Sequence, residues 1–191
     1  MNHALPPETS DTALAPGQRL LLTERKQLSP EAIAEIRAIA ATFPDPLSAT
    51  LPALYIAQKE FGFLSLGAMK EVALALAVPE GHVFGVATFY TMFRKQPVGR
   101  FHLQVCTNLC CALNGAAELL RKVTAKTGAQ PGAGPTEDGQ WSLEEVECLA
   151  SCGSAPCLQV NHDVFDEFVD ETKLEAILEA CRQGETRPWG A

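Results

Sequence analysis

The sequence has no long apolar run, and nothing in it approaches the roughly 18 consecutive apolar residues of a membrane-spanning helix. Direct membrane insertion is therefore not expected. Positive charge is scarce, with 15 Lys and Arg against 23 Asp and Glu, a formal net charge of −8. Nucleic acid is excluded as a main partner, because phosphate binding needs a basic surface. The N-terminal stretch from Met1 to Pro16 lacks a basic start followed by an apolar segment, so it does not read as a secretory signal. The expected location is cytoplasmic, with residues 1–28 a mobile tail. No two cysteines are separated by two residues, which argues against a thioredoxin-type redox dithiol. Gly128 to Gly139 lacks both the Lys-Ser/Thr ending of a phosphate loop and the dinucleotide fingerprint. No nucleotide or flavin site is therefore expected on this chain. The four histidines are scattered without ligand spacing, so a Rieske-type site with two His ligands is not expected.

What is present is an ordinary globular composition with an unusual set of cysteines. Apolar residues make up 47% of the 191 and charged residues 20%, enough for one large or two small hydrophobic cores. There are seven cysteines. An odd number in a chain without a secretion signal points away from a disulfide scaffold and towards metal or cofactor ligands.

The first half reads as helical. Ser29-Pro30-Glu31 is a helix start: a capping hydroxyl, Pro at the first position, then an acid near the positive end of the dipole. Ile33, Ile36, Ala40 and Phe43 follow at helical spacing, and Pro44-Asp45-Pro46 stops the run. A second helix is expected from about Ser48 to Phe61, with Leu51, Leu54, Tyr55 and Gln58 on one side and Gly62 at its end. A third begins near Ser65, with the stripe Leu66, Met69, Ala73 and Leu76. A fourth spans Glu80 to Phe93, whose run from Val86 reads as core packing ahead of a docking face. Together these make a small bundle over residues 29–95.

The second half, residues 96–184, changes character. Arg100 to Val105 reads as a strand, Leu113 to Lys126 as a helix, and Gly128 to Gly139 as a loop. Trp141 to Glu147 reads as a second strand. Cys157 to Val160 and Val164 to Phe168 form a hairpin around Asn161-His162-Asp163, and Thr172 to Gln183 a closing helix. Glu144, Glu145 and Glu147 read as a solvated strand face, and Cys181 as a packing residue. The expected fold class is α+β: a helical bundle followed by a thioredoxin-like α/β layer, with 185–191 a second tail.

The cysteines fall as Cys106-x4-Cys111 and, 36 residues on, Cys148-x3-Cys152. Each pair lies at the end of an expected strand. Two adjacent strands would aim all four thiolates at one place. Three readings fit: a [2Fe–2S] cluster on four thiolates, a structural zinc site, or buried thiols. Thr107, Asn108, Gly153 and Ser154 beside the pairs could donate hydrogen bonds to cluster sulfurs, although they are equally ordinary turn residues.

Val105-Cys106-Thr107-Asn108-Leu109-Cys110-Cys111 with Leu113-Asn114-Gly115-Ala116 resembles the first cluster motif of the thioredoxin-like [2Fe–2S] subunit of respiratory complex I. Val146-Glu147-Cys148-Leu149-Ala150-Ser151-Cys152, with Ala155-Pro156 and Gln159-Val160-Asn161, resembles the second. Leu51-Pro52-Ala53-Leu54 and Val86 to Phe93 resemble the helical region of the same family, so the likeness covers roughly residues 30 to 183.

The resemblance implies one [2Fe–2S] cluster on Cys106, Cys111, Cys148 and Cys152, with no catalytic residue on this chain. It implies an electron-transfer subunit of an NADH dehydrogenase, exchanging one electron with the FMN of an NADH-binding flavoprotein partner. The chain would be peripheral to the inner membrane through that larger respiratory complex. Related subunits of NAD-dependent formate dehydrogenases and NAD(P)-linked hydrogenases fit the same motifs. Two positions depart from the pattern: Cys110 adds a thiol beside the first pair, and Cys157 stands where an apolar residue is expected. Both read as small buried side chains.

Overall fold

The computed structural model describes residues 27–161 and 164–184. The expected tails therefore lie almost wholly outside the described residues, as do His162 and Asp163 of the hairpin turn. Among the described residues no helix is long and apolar enough to cross a membrane.

Helix α1, Pro30–Ala40, starts as its sequence dictates: Ser29 Oγ accepts from the Ala32 N–H at 3.2 Å, and Pro30 needs no partner at the first position. The second helical segment differs from expectation. A 3₁₀ turn, Pro46–Ala49, capped by Asp45, precedes α2, Thr50–Phe61. Its buried face is Thr50, Ala53, Leu54, Ala57 and Gln58, whereas Tyr55 is exposed. The stripe is thus turned by about one residue from the larger side chains, with Ala53 and Ala57 in the core. Ser65 caps α3, Leu66–Leu76, whose Met69, Ala73 and Leu76 are buried with Ala68 and Val72.

Helix α4, Glu80–Phe89, stops short of Phe93. The run from Val86 divides: Ala87 and Phe93 enter the core, while Thr88, Phe89 and Tyr90 are exposed. Ile36, Leu54, Val72, Val83 and Phe93 anchor this helical core. Each such side chain contributes on the order of 1.5–3 kcal/mol when fully buried.

The second core is built on a four-stranded sheet ordered β2-β1-β3-β4. Strand β1, Phe101–Cys106, is central and buried at every residue. It pairs in parallel with β2, Trp141–Val146, in the register Cys106 to Val146. On its other edge it pairs antiparallel with β3, Leu158–Val160, which pairs in turn with β4, Val164–Asp166. The helix expected over Leu113 to Lys126 is α6, Ala116–Thr127, and a short helix that was not expected, α5, Leu109–Leu113, precedes it. Gly115, at φ +94°, makes the break. Helix α7, Glu171–Gln183, packs Leu174, Ile177, Leu178 and Cys181 onto the sheet. The expected α+β class and thioredoxin-like layer are borne out.

Gly99 sits where β1 begins, against the start of β2. A Cβ there would lie 2.5 Å from the Trp141 carbonyl carbon and 2.9 Å from the Ser142 nitrogen. Both are backbone atoms and neither can yield without moving the strand. We expect Gly99→Ala to cost about 1–3 kcal/mol, the usual penalty of overpacking, read as a lower urea midpoint at unchanged slope.

Candidate metal-cluster site

Because β1 and β2 are parallel neighbours, their C-terminal ends lie side by side. Cys106 is the last residue of β1, and Cys148 follows β2 by two residues. The ladder continues past the strands, with the Thr107 N–H donating to the Val146 carbonyl at 3.1 Å. Asn108 then caps α5, accepting from the Leu109 N–H at 2.8 Å, while its Nδ2 donates to Glu147 at 2.8 Å. One residue thus starts the helix that carries Cys110 and Cys111 and ties it to the other cysteine loop.

Six of the seven cysteines line one small recess with Asn108 and Ser151; Cys181 lies apart, in the sheet core. The thiols form two tiers. Cys106, Cys111 and Cys157 are buried, with sulfurs all within 4.8 Å of one another, and Cys111 and Cys157 are 3.7 Å apart. Cys148 and Cys152 are exposed, with sulfurs 3.4 Å apart. Cys110 is half-buried and reaches Cys152. All four expected ligands are therefore gathered in one place, but so are Cys110 and Cys157. Two thiolates on one tetrahedral metal at about 2.3 Å stand roughly 3.8 Å apart. Both tiers are on that scale.

The surroundings suit thiolates. Ala150 directs its N–H at the Cys148 sulfur, 3.3 Å away. Cys106 receives N–H bonds from Leu149 and Asn108, and Cys111 one from Cys157. Burial opposes ionisation of Cys106, but these donors and the neighbouring thiols outweigh it and hold its thiol below the usual range. Burial pushes Cys111 up, aided by Cys106. The Cys148 sulfur pushes Cys152 up to about 11, with Cys110 adding to it. Burial pushes Cys157 higher still. Crowded thiols cannot all ionise unaided, and a cationic metal centre relieves that repulsion. Backbone N–H groups aimed at sulfur are the bonds that stabilise the charge of an iron–sulfur centre. The residues fit a four-thiolate cluster. Of the expected donors, Asn108 serves through its backbone. Thr107 commits its N–H to the ladder, and the Ser154 hydroxyl turns away to Ser151 and Glu167.

Glu144 departs from the expected solvated face. On β2 it accepts from Arg94, and from His102 Nε2 at 3.1 Å; His102 Nδ1 lies 2.7 Å from Ser142 Oγ. Burial opposes ionisation of Glu144, yet His102 and Arg94 hold its carboxyl at about 2. The signal available in sequence was the cross-strand pairing of His102 with Ser142 and Gln104 with Glu144. Those residues share a sheet face only if the strands are parallel and in this register.

A thioredoxin-like layer that converges cysteine loops at the ends of two parallel strands defines an iron–sulfur electron carrier. The chain belongs to the thioredoxin-like [2Fe–2S] ferredoxin family, whose family model matches residues 36–182. It is 45% identical over 151 residues to an NADH-quinone oxidoreductase subunit of Rhizobium meliloti (strain 1021), covering 79% of this chain and 89% of that one. It is 40% identical over 137 residues to a second NADH-quinone oxidoreductase subunit, from Thermus thermophilus, covering 72% and 75%. Its fold is similar to a chain of an NAD⁺-reducing [NiFe]-hydrogenase in the H₂-reduced state, with a TM-score of 0.59 at 23% identity. That likeness covers 74% of this chain and 24% of the hydrogenase chain, and bears on fold alone.

Proposed function

We propose that this chain is the electron-transfer subunit of an NADH:quinone oxidoreductase. It holds one [2Fe–2S] cluster on Cys106, Cys111, Cys148 and Cys152 and exchanges one electron with the FMN of a flavoprotein partner. The observation that carries the reading is the 45% identity across 89% of an NADH-quinone oxidoreductase subunit, together with the convergence of those cysteines. When bound, the cluster supplies reversible one-electron chemistry. The chain's own residues do the rest. Cys106 and Cys111 hold the protein side, where burial excludes water. Cys148 and Cys152 hold the solvent side, which faces a partner. The N–H groups of Asn108, Leu149, Ala150 and Cys157 compensate sulfur charge.

In this reading residues 96–184 carry the cluster, 29–95 supply docking surface, and the chain is peripheral to the inner membrane through the complex. Leu109, Leu113 and Phe168 are exposed on the cysteine-bearing half, and Phe84, Phe89 and Tyr90 on the helical half. A permanent interface buries on the order of 2,000 Å² or more, and these apolar side chains supply its core. The chain isolated without oxygen at native abundance should be brown. It should contain iron and acid-labile sulfide, give a half-integer-spin signal after reduction, and co-purify with a flavoprotein. Alone it should neither bind FMN nor oxidise NADH. Stoichiometric zinc without iron sinks the proposal. A Phe89→Ala, Tyr90→Ala double variant should keep its visible spectrum and bind the flavoprotein about 30-fold more weakly, the effect of losing a contact worth about 2 kcal/mol.

A further inference from the structure

The turn that carries Cys152 is held from outside by one carboxylate. Glu167 follows β4 and accepts from the hydroxyls of Ser151 and of Ser154, the latter at 2.7 Å. The two hydroxyls are themselves 2.6 Å apart. Ser151 immediately precedes Cys152 and Ser154 follows it by two, so the carboxylate grips the turn on both sides of the sulfur. The backbone repeats the attachment. The Phe168 N–H donates to the Ser154 carbonyl at 2.8 Å, and the Val169 N–H to the Pro156 carbonyl at 2.9 Å. Residues 167–169 thus form a brace along the ligand loop, anchored below by α7.

Glu167 is solvent-exposed, and the Lys173 ammonium of α7 donates to its backbone carbonyl at 2.7 Å. Two serines turned to a single carboxylate leave that group ionised: the Ser151 and Ser154 hydrogen bonds hold it below the usual carboxylate range. Its negative charge therefore stands permanently beside the exposed tier of the site. A nearby negative charge disfavours adding an electron to a centre.

We propose that Glu167 is a positioning residue for the cluster: through Ser151 and Ser154 it fixes the Cys152 turn, and its charge holds the reduction potential down. This rests on the reading of Cys152 as a ligand.

The test uses the full-length, cluster-loaded chain prepared without oxygen. Glu167→Gln keeps the size and an accepting oxygen but removes the charge. It should retain full iron and sulfide and show a more positive midpoint potential. Ser151→Ala combined with Ser154→Ala keeps the charge but frees the turn, and should lose visible absorption to a chelator several-fold faster. Asp170→Ala removes the α7 cap, whose carboxylate accepts from the Lys173 N–H at 2.8 Å. It should lower the melting temperature and leave the potential unchanged. An unchanged potential in Glu167→Gln, or an equal shift in Asp170→Ala, overturns the inference. Cys152→Ala read alongside separates the two levels. If it keeps the cluster, the ligand assignment fails and takes this inference with it. If it loses the cluster while Glu167→Gln leaves the potential unmoved, the inference alone fails.

Discussion

Alanine at Cys106, Cys111, Cys148 or Cys152 should abolish the native visible spectrum and the iron, whereas alanine at Cys110, Cys157 or Cys181 should preserve both. The contrast is sharp because a [2Fe–2S] cluster needs four thiolates and six are within reach. Distance alone does not choose among them: the Cys111 and Cys157 sulfurs are only 3.7 Å apart. Local chemistry favours the assignment. The backbone N–H of Cys157 already serves the Cys111 sulfur, and its carbonyl accepts from the Cys106 N–H at 3.2 Å. Cys157 thus supports the first pair through its backbone, which an alanine retains. Cys157→Ala and Cys181→Ala should each lose about 1 kcal/mol, the cost of a methyl-sized void. Iron and sulfide analysis of the anaerobic variants reads the outcome. Loss of iron in Cys157→Ala with retention in Cys111→Ala would transfer the ligand role to Cys157.

Much of this was legible in the chain. The Ser29 and Ser65 caps appear where side-chain oxygen, helical spacing and an apolar stripe coincide. The two cysteine pairs could be placed at strand ends because β1 and β2 carry strong strand patterns. What escaped was decided by packing between distant segments. Gly115 breaks the helix after the first pair, but a single glycine in a helical pattern is normally tolerated. Thr50, Ala53 and Ala57 line the buried face of α2 in preference to Tyr55, because helix–helix separation favours small residues and the ring reaches across to Phe93, with centroids 5.2 Å apart. The second tier of the site was legible only in part. Cys110 and Cys157 stood out as extra thiols, but Cys157 joins the rest only because β3 pairs antiparallel to β1, and Cys110 because a short helix follows β1 at once. The roles of Glu144 and Glu167 were hidden for the same reason: their partners are 50 residues away for Arg94 and 16 for Ser151.

Replacing Arg94 should reveal how firmly the helical half is tied to the strand that leads into Cys148. Arg94 is buried and sits between the two cores. Its backbone N–H donates to Gln58 of α2 at 2.5 Å, and its guanidinium reaches Glu144 on β2. Arg94→Ala keeps the first bond and deletes the second. Breaking a fully buried pair costs about 3–5 kcal/mol, but the Glu144 side chain is 38% exposed, so solvent screens what remains. We expect a loss of about 2–3 kcal/mol near neutral pH, between the exposed and fully buried cases. The pH dependence identifies the mechanism. Glu144 is held at about 2, below its ordinary 4.5. Its contribution is therefore present above the ordinary carboxylate range and disappears as pH falls from there towards 2. His102 acts in the same direction. Burial, and then Arg94, keep its imidazole below the usual value, so acid destabilises the wild type by forcing a charge beside the guanidinium, a penalty the variant partly escapes. The stability gap between wild type and Arg94→Ala should narrow as pH falls, and it can be followed by urea denaturation at pH 7 and pH 3. A gap that stays constant would mean that Arg94 holds the halves together by the packing of its aliphatic stem alone. A narrowing gap assigns the link to charge, at a point where β1 and β2 run on towards the cysteine loops.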